Sequence, residues 1–94
     1  MVKISAGISG ELVVSVSPNP FRQHIFVELV SPQQEQAELI LTDINGKKML
    51  TSKAYLLKGD NQLQLNAGSL FSHTVYMLRV VTRNSTRVIK LLKE

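Results

Sequence analysis

The amino-acid sequence predicts an all-β fold, an Ig-like antiparallel β-sandwich of about seven short strands. Apolar and polar residues alternate with a period of two in short segments along the chain. Turn-forming residues interrupt these segments at short intervals, as all-β folds require. No segment combines a sustained helical period with capping residues. We therefore expect one domain of strands joined by turns.

The first strand is expected at residues 12–17, because this segment alternates and then meets Pro18-Asn19-Pro20. Each proline lacks a backbone N–H and pushes the preceding residue into an extended conformation, so strand pairing must stop there. The second strand is expected at 24–30, with Phe26 on one face and three aliphatic residues on the other. These three are Ile25, Val27 and Leu29.

A hairpin is expected where a third strand, 37–43, runs into the segment 43–47. Asn45-Gly46 suits the positive φ angles of a tight primed turn, which is the strongest short hairpin signal. The returning strand is expected at 47–55, and its candidates for burial are Met49 and Leu50.

Three further strands are expected after this hairpin, with turns at 58–61 and 83–85. The first, 62–66, places Leu63 and Leu65 on one side. The second, 74–82, alternates through Tyr76, Leu78 and Val80, and the third spans 86–92. In the loop 66–73, we expect Leu70 and Phe71 to plug the core.

The net charge of +4 is concentrated at the C-terminal end. Lys/Arg and Asp/Glu balance over residues 1–78, whereas the last 16 residues contain five cations and one acid. Such a basic end attracts nucleic acid, anionic lipid or an acidic protein surface. The alternative is that the cations only guard the exposed edges and faces of the final strands.

The residues offer no recognisable catalytic or metal site. His24 and His73 lack carboxylates at ligand spacing, and the calcium-like string around Asp43 and Asn45 lacks the acid that closes such a loop. A nucleophile elbow, a phosphate-binding glycine loop and cysteine are absent from the sequence. We therefore expect no enzyme, no cofactor and no metal. Aromatic stacking platforms are not interleaved with the basic residues, so we also expect no nucleic-acid partner despite the charge. No stretch approaches the roughly 20 apolar residues of a membrane-spanning helix.

Four markers, taken in order, resemble the C-terminal sorting domain of the type IX (Por) secretion system. The first is Val16-Ser17-Pro18-Asn19-Pro20-Phe21, in which Phe21 is positioned to anchor the core. The second is the hairpin with Asp43, Asn45, Gly46 and Lys47. The third is a strand with Tyr76 and Arg79, and the fourth is the basic terminal strand 87–93. The resemblance extends from about residue 12 to the end.

The resemblance implies a sorting signal, which folds in the periplasm and is engaged by the outer-membrane translocon. Residues 11–94 would be the sorting domain, and 1–10 a flexible linker or cleavage region cut by a sortase. The possible cleavage residues are Ser5, Ala6, Gly7, Ile8, Ser9 and Gly10. The residues expected to contact the translocon are Arg87, Val88, Lys90, Leu92 and Lys93. The cargo would end at the outer membrane or cell surface, or be secreted, and would in some cases be joined to anionic lipopolysaccharide.

Alternatives remain open at this stage. The main one is an Ig-like or fibronectin-like adhesion module at the end of a larger surface protein. For the terminal strand, whose two faces are both apolar, one possibility is that it offers a patch and an open edge to a partner, and the other is that the sandwich buries both faces. Exposed edges also make a homodimer plausible, by strand exchange or edge pairing.

Overall fold

The computed structural model describes residues 11–94 and confirms the predicted all-β sandwich. The expected linker and cleavage region, 1–10, lies outside the described residues. Within the described part, no helix is long and apolar enough to cross a membrane. The seven strands are β1 (Val13–Ser17), β2 (His24–Ser31), β3 (Glu35–Asp43), β4 (Lys48–Leu56), β5 (Gly59–Asn66), β6 (Thr74–Val81) and β7 (Thr86–Lys93).

The strands form two antiparallel sheets, one in the order β1-β2-β5 and the other in the order β4-β3-β6-β7. The connections β2–β3, β4–β5 and β5–β6 pass from one sheet to the other, so each sheet combines strands that are not consecutive in sequence. Strand β7 lies at one edge of the four-stranded sheet, and β1 lies at one edge of the three-stranded sheet.

The core lies between the sheets and is built by the period-two alternation. On β2, the three aliphatic residues expected on one face are all buried, and Phe26 projects from the other face. On β6, Tyr76, Leu78 and Val80 are buried in the same way. The predicted facing of both strands is confirmed.

The β3–β4 turn differs from the predicted primed turn. Gly46 has a φ of +87°, whereas Asn45 is not among the residues with positive φ. Gly46 N donates to Asp43 O (3.1 Å) and Asp43 N donates to Lys47 O (3.0 Å), which closes a three-residue loop. The pairing then shifts by one residue between Leu41 and Thr42, so the turn accommodates an irregular ladder.

The β4–β5 turn is shorter than predicted, because β5 begins at Gly59 instead of residue 62. The side chain of Asn61 explains the difference. Its Oδ1 accepts from Leu57 N (2.9 Å) and its Nδ2 donates to Leu57 O (2.9 Å). This amide ties the turn together and leaves the backbone from Gly59 onward to pair with β2.

The prediction that two residues of the β5–β6 loop plug the core is confirmed for Leu70 and wrong for Phe71. Leu70 is partly buried and packs against the core, but the Phe71 side chain is 77% exposed. The core uses the backbone of Phe71 instead, because Tyr76 Oη donates a hydrogen bond to Phe71 O (3.2 Å).

Candidate functional site

The Pro18–Phe21 segment connects β1 to β2 of the three-stranded sheet and contacts β7, the last strand of the four-stranded sheet. The peptide bonds before Pro18 and Pro20 are both cis. Phe21 forms a parallel bridge with Lys93: Phe21 N donates to Leu92 O (2.9 Å) and Glu94 N donates to Phe21 O (2.8 Å). The first motif and the terminal strand, which are far apart in sequence, are therefore one structural unit.

Asn19 extends this contact along the outer edge of β7 through its side chain. Its Oδ1 accepts from Leu92 N (3.0 Å), and its Nδ2 donates to Lys90 O (3.2 Å). A carboxamide has one acceptor oxygen and an N–H donor group, so it takes the place of a peptide group from a neighbouring strand. The flanking prolines have no N–H to offer, and the asparagine side chain supplies the missing donor.

Phe21 and Tyr76 bring two of the markers together inside the core. Both side chains are buried, with ring centroids 6.4 Å apart and planes inclined by 54°. The bond from Tyr76 Oη to a carbonyl five residues upstream is the tyrosine corner of Ig-like sandwiches. The expected role of Phe21 as a core anchor is confirmed.

Asp43 organises the hairpin that forms the second marker. Its Oδ1 accepts from Asn45 N (2.8 Å) and from Lys47 N (2.9 Å). The aspartate thus satisfies two turn N–H groups, which explains this residue type without an ion. Across the described residues, no cluster of three or more His, Cys, Asp or Glu side chains could hold a metal.

The terminal strand divides the residues expected to contact the translocon into two groups. Val88 and Leu92 are 55% and 40% exposed, and Lys90 lies between them on the same outward face. Arg87 points the other way: its Nε donates to Leu12 O (2.9 Å), and its Nη2 lies 3.4 Å from Glu11 Oε1. Lys93 also points inward and is only 5% exposed.

The possibility that the sandwich buries both faces of this strand is therefore wrong, and the possibility that the strand offers an apolar patch is supported. One face is buried through Leu91 and the half-buried Ile89, while the other face stays exposed. Arg79 on β6 is also exposed, directly opposite Val88.

The free edge of β7 is shorter than the strand. In an antiparallel pair, residues with N–H and C=O directed at the partner alternate with residues that direct both groups outward. Leu92 directs both groups outward, to Asn19 and Phe21, so Lys90 and Val88 have the same orientation. Since Asn19 also occupies Lys90 O, the described edge of β7 leaves Val88, Thr86 (which has the same orientation by alternation) and the N–H of Lys90 open to a further strand.

Sequence reasoning missed the contact between Asn19 and β7 and the exposure of the neighbouring β6 side chains. The first feature has no local signal, because it depends on which strands become neighbours. The alternation of β6 did carry part of the second feature: the positions between its buried residues, Val75, Met77 and Arg79, must face away from the core.

A family model described as the secretion system C-terminal sorting domain matches residues 15–94. The match begins in β1 and includes every later strand, the Pro18–Phe21 segment and the β3–β4 hairpin. No curated protein matches the chain.

Proposed function

This chain belongs to the family of secretion system C-terminal sorting domains, and we propose that the type IX translocon reads it as the export address of a cargo protein. The family is one of sorting signals and not of enzymes. On this proposal the domain folds in the periplasm, is held by the translocon, and accompanies its cargo across the outer membrane. The cargo is then released or attached to the cell surface.

The observation that carries the proposal is the contact between the first marker and the terminal strand. Asn19 and Phe21 hold Leu92 from outside the sheet, through bonds of 2.9–3.0 Å. Phe21 also packs on Tyr76 of the third marker. The first and third markers thus converge on the C-terminal strand, and they present it as a surface of fixed shape with no reactive group required.

The proposal extends to the segment in front of the domain. A protease needs accessible backbone, so the sortase would cut between the cargo and the sandwich, within Ser5–Gly10. Anionic lipopolysaccharide is the proposed acceptor for the released cargo. The alternative function, an Ig-like adhesion module, is not favoured by the family match.

A reporter fusion tests the proposal. Residues 1–94 are joined to the C-terminus of a periplasmic reporter, and the fusion is expressed in a host with the type IX system and in the same host without its translocon. We expect the reporter outside the outer membrane only in the first host, and in the periplasm in the second. A reporter without the domain is the control, and it should stay in the periplasm of both hosts.

Two results would refute the proposal. One is a reporter that stays in the periplasm of the competent host although the fused domain resists proteolysis and is therefore folded. The other is equal export from the host that lacks the translocon.

A further inference from the structure

Six side chains on β6 and β7 form a continuous patch that faces away from the core, which we call the β6–β7 outer face. Its members lie directly opposite one another in three pairs: Val75 and Leu92, Met77 and Lys90, and Arg79 and Val88. None of the six belongs to the core cluster. Exposed apolar side chains in contact with one another mark interaction sites more reliably than scattered ones do.

The charge of this face is positive. Arg79 and Lys90 carry two cations into the patch, and the six residues include no carboxylate. Farther across the same sheet, Glu38 is paired in register with Lys53. Glu94, which follows β7, forms an ion pair with Arg22 (3.0 Å).

The outer face of the three-stranded sheet has the opposite character. Its side chains include Glu28 and Asp60, and its described residues include no lysine or arginine. Gln62 Nε2 donates to Glu28 Oε2 (3.2 Å), so these two polar side chains are joined across this face. It nevertheless exposes two apolar side chains, Val13 and Phe26, and therefore provides a control surface on the same molecule.

A partner that added a strand to β7 could bond only the backbone of its N-terminal half. Asn19 and Phe21 occupy both outward groups of Leu92 and the carbonyl of Lys90. Strand addition needs a run of open N–H and C=O groups, and on the described edge this run extends only from Thr86 to the N–H of Lys90. Recognition of the C-terminal half of β7 therefore depends on side chains of the face and not on the edge.

We propose that the β6–β7 outer face is the surface by which the export machinery holds this domain, and that the partner presents carboxylates around an apolar centre. This inference rests on the proposed function. Val88 and Leu92 supply the apolar contact, which a protein partner desolvates. Arg79 offers a planar guanidinium that binds a carboxylate through two parallel hydrogen bonds, and Lys90 adds a second cation beside it. Complementary charge then selects the partner and orients it.

The test uses the reporter fusion with two variants of this face and one matched control. The first variant, Arg79→Glu with Lys90→Glu, reverses the charge of two exposed side chains. The second, Val88→Thr with Leu92→Thr, removes apolar contact while keeping strand-forming residues. The control, Val13→Thr with Phe26→Thr, makes the same kind of change on the opposite face, where the exposed fractions are similar at 49% and 48%.

We expect each variant of the β6–β7 outer face to lower the exported fraction roughly tenfold, as the loss of interface anchors does. The control should export like the parent. Thermal melting of the purified domains shows whether all three retain the fold. If one face variant fails to fold, the other decides the test, because the charge reversal and the threonine pair alter different side chains.

The outcomes separate this inference from the function on which it rests. If the parent domain itself fails to export the reporter, the proposed function fails. If the parent and both folded face variants export equally, the function stands and the assignment of this face is overturned. An equal loss in the folded control overturns it too, because the effect is then not specific to the face.

Two other occupants of the face would also overturn the inference. Sedimentation of the purified parent and of the threonine variant shows whether the face instead binds a second copy of the chain. A dimeric parent and a monomeric variant, with export unchanged, would assign the face to a homodimer. Binding of the parent to lipopolysaccharide vesicles, lost in the charge-reversed variant with export unchanged, would assign the face to lipid.

Discussion

Replacing Phe21 with alanine tests the joint between the two sheets. The Phe21 side chain is fully buried and packs on the ring of Tyr76, with 6.4 Å between centroids. Its two hydrogen bonds, to Leu92 and Glu94, use backbone atoms and are available to alanine. The change therefore removes side-chain packing alone, and truncating a buried phenylalanine costs about 3–5 kcal/mol.

The assay is thermal unfolding of the purified domain, followed by circular dichroism. For a domain of this size, each 1 kcal/mol lowers Tm by about 4–8 °C, so we expect a fall of about 12 °C or more. Phe71→Ala is the matched control: it deletes the same side chain at a position that is 77% exposed, and it should change the free energy of unfolding by no more than about 0.5 kcal/mol. A Phe21→Ala protein that melts with the parent would show that this ring does not anchor the core.

Three smaller changes probe single contacts of the same unit. Asn19→Ala should lower the free energy of unfolding by about 1 kcal/mol and speed hydrogen exchange at the Leu92 amide, because that amide loses its acceptor. An unchanged exchange rate would contradict the contact. Tyr76→Phe should lower the free energy of unfolding by about 1 kcal/mol, through the lost bond to the Phe71 carbonyl, whereas Tyr55→Phe on the surface should leave denaturant midpoints unchanged. Gly46→Ala should lower the free energy of unfolding by about 1–2 kcal/mol, because an alanine is strained at a φ of +87°. An unchanged free energy in urea unfolding would exclude that strain.

The facing of the strands was predictable from sequence because alternation is a local property. Ile25, Val27 and Leu29 needed only their own spacing to be assigned to the core, and the structure buries all three. The same reasoning succeeded for Tyr76 and its neighbours on β6. Where one face of a strand is buried, the pattern of apolar residues also determines its register.

The turns occur near their predicted positions, but their lengths and backbone angles were not predicted. Asn45-Gly46 does lie at a hairpin, but the loop has three residues and only the glycine adopts positive φ. The choice between a two-residue and a three-residue loop depends on how β3 and β4 pair, including the shift after Leu41. At the β4–β5 turn, the amide of Asn61 bonds in a way that composition does not reveal.

The candidate site was predicted as a set of markers, not as an arrangement. Nothing near Asn19 in sequence indicates that its amide will bond to residues 71 and 73 positions away. The same limit explains Phe71, an apolar residue whose loop packs through Leu70 and a backbone carbonyl instead. Contacts of this range follow from the neighbour relations of strands, and local patterns do not encode them.

The contact of Asn19 and Phe21 with β7, which we call the clasp, has a consequence for synthesis. Within this domain Asn19 and Phe21 are synthesised before β7, so their contact with β7 cannot form until that strand is complete. A truncated or incompletely folded chain has no clasped strand to display. A receptor that binds only the clasped form would therefore not bind a truncated or incompletely folded chain. The cargo of such a chain would stay in the periplasm.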